Sequence, residues 1–342
     1  RIALMSQLTA TAHASPNIAL IKYWGNTDDD LRLPVSPSIS FNLAELHTRT
    51  TVIWDESLDA DAVTINDERV SGPAAARVTH HLNHVRQLAK HDGHAQVVSS
   101  NNFPAGAGIA SSASAFAALS LAATAALNLH LPERELSALA RLGSGSAARS
   151  VDGGLVLWGE HPAIKGSSDL YAIPYPGEVH AVFREYHDTI LLVDEGEKAV
   201  SSTVGHGLMH GHPYAASRFA QAGHNLDRLQ DILAGGDLDG FMEVVESEAL
   251  SLHAMMLAST PSYILMKPGT LSIIEAIRAF RAKTGNPVCF TLDAGANVHV
   301  LYPAASAGDV YPFIREVLTA FCKDGHHICD RVGAGARTFG TP

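Results

Sequence analysis

Residues 101–128 read NNFPAGAGIASSASAFAALSLAATAALN. The stretch opens with polar residues and a proline (Asn101, Pro104), passes Gly106, Gly108, Ser111, Ser112 and Ser114, and becomes alanine-rich. Alanine is the best helix former, and serine at the mouth of such a run is a capping signal, so a helix is predicted from near Ser111 to about Leu127. A glycine-rich loop opening onto a helix N-terminus presents free backbone N–H groups and the positive end of the dipole, a ready anion site. Serine hydroxyls there can reach phosphate oxygens or a magnesium ion. No Gly-Lys-Ser/Thr follows, so this is not the Walker pattern. A tightly packed small-residue helix with a flexible lead-in is the other reading.

The flanks supply context for the phosphate reading. Residues 95–100 read as a strand that delivers the chain to the loop. On the far side, a second helix is predicted from Pro132-Glu133 to near Gly143, followed by SGSAARS, Ser144 to Ser150. Arg149 in that hydroxyl-rich segment suits a bidentate grip on a carboxylate or phosphate, or else a surface ion pair. Upstream, residues 7–14 alternate as a half-buried strand does, then Asn17 leads into IALIKYWGN with Lys22, Tyr23 and Trp24. Lys22 is placed either to meet an anion or to reach solvent.

Strands are predicted at 38–43, 48–54, 62–66, 155–158, 179–185, 188–193, 287–292 and 297–302. Helices are predicted at 74–90 (carrying Arg77), 214–235, 237–256, 270–284 and 307–323. Asp293 opens DAGAN, a glycine-bearing turn between two strands that could project a carboxylate into a cleft or be ordinary hairpin chemistry. The pattern predicts an α+β chain of two lobes with a cleft between them: residues 1–190 with the phosphate loop at 101–117, then residues 191–342.

Composition bounds the function. A chain of 342 residues, 46% hydrophobic and 17% charged, can bury a large core. No apolar run is long enough to span a membrane, and the segment before Pro16 lacks the apolar core of a signal peptide. Three cysteines make no even disulfide framework, which fits a reducing cytoplasm. A net charge of −11 argues against nucleic acid as partner. His206, His210 and His212, and His326, His327 and Cys329, cluster without matching a zinc signature, so no protein-held metal site is expected.

ASPNIALIKYWGN (14–26), NNFPAGAGIASSASAF (101–116), SGSAARS (144–150) and DAGAN (293–297), in this order, resemble the diphosphomevalonate decarboxylases of the GHMP superfamily. EKAVSSTVGH (197–206) and HAMMLAS (253–259) add to the match. The resemblance implies the two-lobe GHMP-kinase fold with its active site in the cleft. It implies ATP and Mg2+, and decarboxylation of a 5-phosphorylated mevalonate after phosphorylation of its 3-hydroxyl, a step of isoprenoid biosynthesis. By the same resemblance Asp293 is the catalytic aspartate, Arg149 holds the substrate carboxylate with Asn17 as its hydrogen-bonding support, and Lys22 and Tyr23 face the reacting region. Ser144, Ser146 and Arg77 contact substrate phosphate. Asn101, Pro104, Gly106, Gly108, Ser111 and Ser112 hold ATP, and the family makes a homodimer plausible. Two positions depart: Asn26 stands where the family has a lysine, and Ala296 where it has a proline, which is expected to loosen that turn. The loss of charge at Asn26 points toward the monophosphate rather than the diphosphate. A mevalonate 3-kinase that does not decarboxylate, and a non-catalytic nucleotide-binding protein, are the alternatives.

Overall fold

The computed structural model describes residues 8–104, 111–196 and 200–339. Gly106 and Gly108 therefore lie outside the described residues. The helices are α1 (Gly72–Ala89), α2 (Ser111–Ala126), α3 (Glu133–Gly143), α4 (Ser202–Gly207), α5 (Ala215–Gly235), α6 (Leu238–Ala258), α7 (Pro268–Thr284) and α8 (Ala307–Glu316).

A six-stranded sheet runs in the order Arg337–Phe339, Leu8–Ala14, Thr48–Asp55, His94–Asn101, Ala62–Ile65, Glu68–Arg69. In Leu8–Ala14 the residues Ala10, Ala12 and Ala14 point inward by strict alternation. Alanine on the strand meeting alanine on α2 lets helix and sheet approach closely, and the Trp54 indole donates to the Ala123 carbonyl at 3.1 Å. α2 is apolar around most of its circumference because it is enclosed by the sheet, α1, α3 and the 3₁₀ turn Gly145–Ser150. Its buried hydroxyls bond back to the helix itself, Ser120 to the Phe116 carbonyl at 2.7 Å and Thr124 to the Ser120 carbonyl at 2.8 Å.

A second sheet, ordered Ala172–Pro174, Leu155–Trp158, Ser38–Asn42, Asn17–Ile21, is shared between the lobes. Both Asn17–Ile21 and Ser38–Asn42 are buried at every residue. The turn Gly145–Ser150 packs on this sheet, and α5 and α6 of the second lobe dock on it as well. One hydrophobic cluster runs from Ile18, Ile39 and Phe41 to Leu226, Leu229 and Phe241.

The third sheet, Cys289–Leu292, Val298–Pro303, Tyr186–Leu191, His327–Arg331, is antiparallel throughout and packs on α6, α7 and α8. Here two expectations fail. Residues 179–185 are no strand: His180 caps a 3₁₀ turn, its Nδ1 accepting from Val182 N at 3.2 Å, and Phe183 plugs the core. The strand instead runs through Tyr186 and His187. The helix predicted to residue 323 ends at Glu316, after Pro312 inside it, and yields to the 3₁₀ turn Leu318–Phe321. From the third sheet the chain returns to the first lobe. Asp330 accepts the backbone N–H groups of Ala44, Glu45 and Leu46 at 2.9, 3.0 and 2.9 Å, and Arg337–Phe339 pairs with Leu8–Ala14.

Candidate active site

A cleft of about 590 Å3 opens where the shared sheet, the start of α2, the turn Gly145–Ser150, α4 and the turn after Leu292 converge. Lys22, Tyr23, Asn17 and Arg149 line it, as do Asp293, Arg77, Ser144 and Ser146. Ser111 and Ser112, the first residues of α2, open onto the same space. Asn101 and Pro104 are not among its lining residues; the Asn101 Oδ1 accepts from Thr48 Oγ1 at 2.7 Å.

Asp293 reaches the cleft from a turn braced by two helices. His253 on α6 donates from Nε2 to the Asp293 carbonyl at 2.9 Å, and Thr270 on α7 donates to the Ala296 carbonyl at 2.6 Å. Asn297 Oδ1 accepts from Asp194 N at 2.9 Å. Side chains from neighbouring elements thus brace this turn with Ala296 in place of proline. Lys22 Nζ contacts Asp293 Oδ1 at 3.0 Å.

Lys22 is positioned from behind. It follows a register shift in Asn17–Ile21, and its backbone N–H donates to Glu248 Oε2 on α6 at 2.9 Å. Glu248 is fully buried and also receives a two-pronged Arg218 contact and Asn225 Nδ2 at 2.7 Å. A buried carboxylate is stable only with such a full set of donors.

Arg149 is buried, its Nε donating to Ser40 Oγ at 2.9 Å and its Nη1 to Ser38 Oγ, with the guanidinium carbon 5.8 Å from the Trp158 ring centroid. No carboxylate among the described residues forms an ion pair with it. Burial lowers it to about 10, while the charges of Asp293 and Tyr23 act in the opposite sense. Asn17 is not its hydrogen-bonding support. The Asn17 amide donates to the Ser146 carbonyl at 3.0 Å and to Ser150 Oγ at 2.8 Å, holding the turn that carries Arg149. The arginine's own supports, Ser38 and Ser40, sit two apart on the polar face of a strand whose other face is Ile39 and Phe41, a period-two signal the sequence does contain.

A chain of hydroxyls links the start of α2 to this turn: Ser112 to Ser144 at 3.1 Å and Ser144 to Ser146 at 3.4 Å. Beside this turn stand two arginines of the cleft lining. Arg77 donates to the Gly143 carbonyl at 3.2 Å and Arg32 to the Leu142 carbonyl at 3.1 Å. Burial, then the charge of Arg32, lowers Arg77. Arg32 was not singled out from the sequence; it follows three aspartates, where it reads as one more charge on a turn.

Tyr23 donates to Asn26 Oδ1, and Asn26 Nδ2 donates to Asp29 Oδ1 at 2.9 Å. Those bonds, the one from Asn26 foremost and one from His210 next, hold Asp29 below the usual carboxylate range, and burial pushes the Tyr23 phenol up. Gly145 must be glycine, since a Cβ there would lie 2.5 Å from the Tyr23 hydroxyl. The clustered histidines are engaged singly: His210 with Asp29 at 2.8 Å, His212 with the Met255 carbonyl at 3.0 Å, His326 with Glu195 at 3.2 Å and His327 with the Gly325 carbonyl at 3.1 Å. Among the described residues no group of three or more potential ligands could hold a metal ion.

Two family profiles cover most of the chain: a diphosphomevalonate decarboxylase-like N-terminal domain over residues 14–170 and a mevalonate 5-diphosphate decarboxylase C-terminal domain over residues 189–334. This protein belongs to the diphosphomevalonate decarboxylase family. The family is one of ATP-dependent decarboxylases, and the fold is its two-lobe GHMP-kinase fold. The chain is 32% identical over 296 residues to the phosphomevalonate decarboxylase of Haloferax volcanii, covering 86% of this chain and 88% of that one. It is 33% identical over 343 residues to the diphosphomevalonate decarboxylase of Ganoderma lucidum, covering 91% and 82%. A solved mevalonate diphosphate decarboxylase from Enterococcus faecalis superposes with a TM-score of 0.88 at 32% identity, over 98% of this chain and all (100%) of that one. A solved complex with MVAPP, AMPPCP and magnesium gives 0.89 at 33% identity, over 98% and 100%. Among the described residues of this decarboxylase-family protein, no helix is long and apolar enough to cross a membrane.

Proposed function

We propose that this protein catalyses the ATP-dependent decarboxylation of a 5-phosphorylated mevalonate, with mevalonate 5-phosphate the preferred substrate and isopentenyl phosphate, CO2, ADP and phosphate the products. One observation carries the reading: Arg149, a buried cation with no carboxylate partner among the described residues, lines the same cleft as the Lys22–Asp293 pair. A substrate with a carboxylate at one end and a hydroxyl to be activated nearby satisfies both.

Asp293 takes the proton of the 3-hydroxyl as that oxygen attacks the γ-phosphoryl group, and Lys22, with its Nζ 3.0 Å from Asp293 Oδ1, orients the carboxylate. Phosphorylation turns a poor leaving group into a good one. As phosphate departs, cationic character develops at C3. The C1–C2 bonding electrons then form the C2–C3 double bond, and the carboxylate held by Arg149 leaves as CO2. ATP is the co-substrate and supplies the phosphoryl group; magnesium arrives with its phosphates. The hydroxyls of Ser111 and Ser112, at a helix N-terminus on the cleft wall, are the hard oxygen donors that fit this load. The lobe boundary expected at residue 190 is better drawn a few residues earlier, before the strand Tyr186–Leu191, a position supported by the gap at residues 171–188 between the two family profiles.

The monophosphate preference rests on Asn26. One amide N–H is already given to Asp29 and its carbonyl accepts from Tyr23, so it offers a second phosphate no charge and at most one neutral donor. The Haloferax volcanii relative, named a phosphomevalonate decarboxylase, points the same way. The deciding experiment follows CO2 and ADP release with Mg-ATP and mevalonate 5-phosphate, mevalonate 5-diphosphate or unphosphorylated mevalonate. CO2 matching ADP, fastest with the monophosphate, is expected. ADP without CO2 overturns the decarboxylase reading, and faster diphosphate turnover overturns the preference.

A further inference from the structure

His206 is the second group at the Tyr23 end of the cleft, and neither the motif match nor the mechanism above assigns it a task. It sits on α4, 9% exposed, with its ring between two aromatics: centroids lie 4.3 Å from Tyr23 and 4.5 Å from Trp24. Its Nδ1 accepts the backbone N–H of Gly25 at 2.8 Å. A backbone amide can only donate, so that nitrogen carries no proton and the ring proton is on Nε2. Two glycines make the contact possible. Gly25 has φ +108°, open to glycine alone, and Gly205 faces Trp24 so closely that a Cβ would lie 2.3 Å from its ring. No acceptor among the described residues takes the Nε2 proton, although His206 lines the cleft. Burial holds the ring neutral, its pKa lowered to about 3. Of the charges facing it, Asp29 favours protonation and Arg32 opposes it, without overcoming the burial. The result is a fixed, uncharged donor on the same wall as Tyr23, Asn26, Asp29 and Arg32.

We propose that His206 is a specificity-determining residue, whose Nε2–H donates to a phosphate oxygen of the substrate. The proposal rests on the phosphorylated-substrate reading above and deepens it. Among the described residues, the lining here offers the cations Arg32 and Arg77, the hydroxyls of Ser201, Ser202 and Thr203, and the fixed His206 N–H, while Asn26 is bonded to its neighbours and Asp29 adds a negative charge. That set suits a single phosphate: a second one would add negative charge beside Asp29 without a further cation among the described residues to meet it.

The test compares wild type, His206→Phe and His206→Gln, first by steady-state kinetics with Mg-ATP. Phenylalanine keeps the ring between Tyr23 and Trp24 but removes the donor. Losing one hydrogen bond to an anion raises KM for mevalonate 5-phosphate roughly tenfold to a hundredfold. The KM for ATP and the saturated kcat stay within about twofold, a split that general damage to the fold does not produce. Glutamine, whose amide oxygen can accept from Gly25 while its NH2 donates, restores most of the loss. Nitrogen NMR of the histidines, with the His206 signals assigned by their absence from the variant, is expected to show the neutral Nε2–H tautomer at neutral pH. An unchanged substrate KM in His206→Phe, equal losses for ATP and substrate, or a ring protonated on Nδ1 overturns the proposal. If wild type releases CO2 from neither phosphorylated substrate, the underlying reading fails and takes this one with it. If wild type does and the variant shows no split, this inference alone fails.

Discussion

Replacing Arg149 by methionine is expected to stabilise the unliganded protein while abolishing its activity. The guanidinium is buried without a carboxylate partner among the described residues, and burial lowers it to about 10. Against the ordinary value of about 12.5, at about 1.36 kcal/mol per pH unit, the charged form is disfavoured in the fold by roughly 3 kcal/mol. The sign is that of a base whose folded pKa lies below its unfolded pKa: the penalty is full at every pH below about 10, neutrality included. Methionine has similar reach and no charge. It leaves the Ser38 and Ser40 hydroxyls without their arginine donor, a loss of about 0.5–1 kcal/mol each because a hydroxyl can turn to another partner. The expected net gain is about 1–2 kcal/mol, read as a higher urea midpoint with unchanged slope. Substrate then reverses the order: at a hundred times its Kd it adds about 2.7 kcal/mol to wild type and nothing comparable to a variant that cannot hold the carboxylate. A variant less stable than wild type by more than about 1 kcal/mol refutes the idea that Arg149 waits for its counter-charge.

Other expectations follow from the same geometry. Asp293→Asn should lower turnover by about 10²–10⁴-fold or more with ATP affinity retained; a rate within tenfold of wild type sinks the proton-acceptor role. Asn26→Lys with Asp29→Asn should shift the diphosphate-to-monophosphate ratio of kcat/KM upward by roughly tenfold, the value of one charge-assisted contact. Asn26→Lys alone should do less, because Asp29 would pair with the new ammonium; equal ratios in wild type and double variant defeat the charge argument. Acid should destabilise the fold through His81 and His206, both lowered by burial to about 3. The unfolded chain binds protons at these residues near their ordinary value of about 6.5, so stability falls as pH drops below that, by about 3 kcal/mol per histidine near pH 4. His81→Phe should flatten the urea midpoint between pH 7 and 4; an unchanged slope would falsify the assignment.

The local elements were legible because each satisfied its own rule. Alternation marked Leu8–Ala14, alanine richness marked α2, and Asp293 stood on a turn between two apolar strands. Residues 179–185 misled because Val179, Val182 and Phe183 contact the core from a turn, so a short β-branched and aromatic run imitates a strand. Glu248 was illegible for another reason. Among the charges of α6 nothing marks it as fully buried, and its partners Arg218, Asn225 and Lys22 are 30, 23 and 226 residues away. The return of Arg337–Phe339 to the first strand was hidden likewise, since pairing across the whole chain leaves no periodic trace.

That return has a mechanical consequence. A lobe joined to its neighbour by one strand can swing in any direction and twist about the joint. Here the chain passes between lobes twice, once before Tyr186 and once between Asp330 and Arg337, and the second passage is fastened at both ends, by Asp330 on the amides of residues 44–46 and by the terminal strand on Leu8–Ala14. Two fixed points define a line, and rotation about that line is the one large motion that leaves both intact. The fold thus restricts any displacement of Asp293 relative to the Ser111–Ser112 wall to that one rotation, and the core that runs unbroken from Ile18 and Phe41 to Leu229 and Phe241 opposes even that.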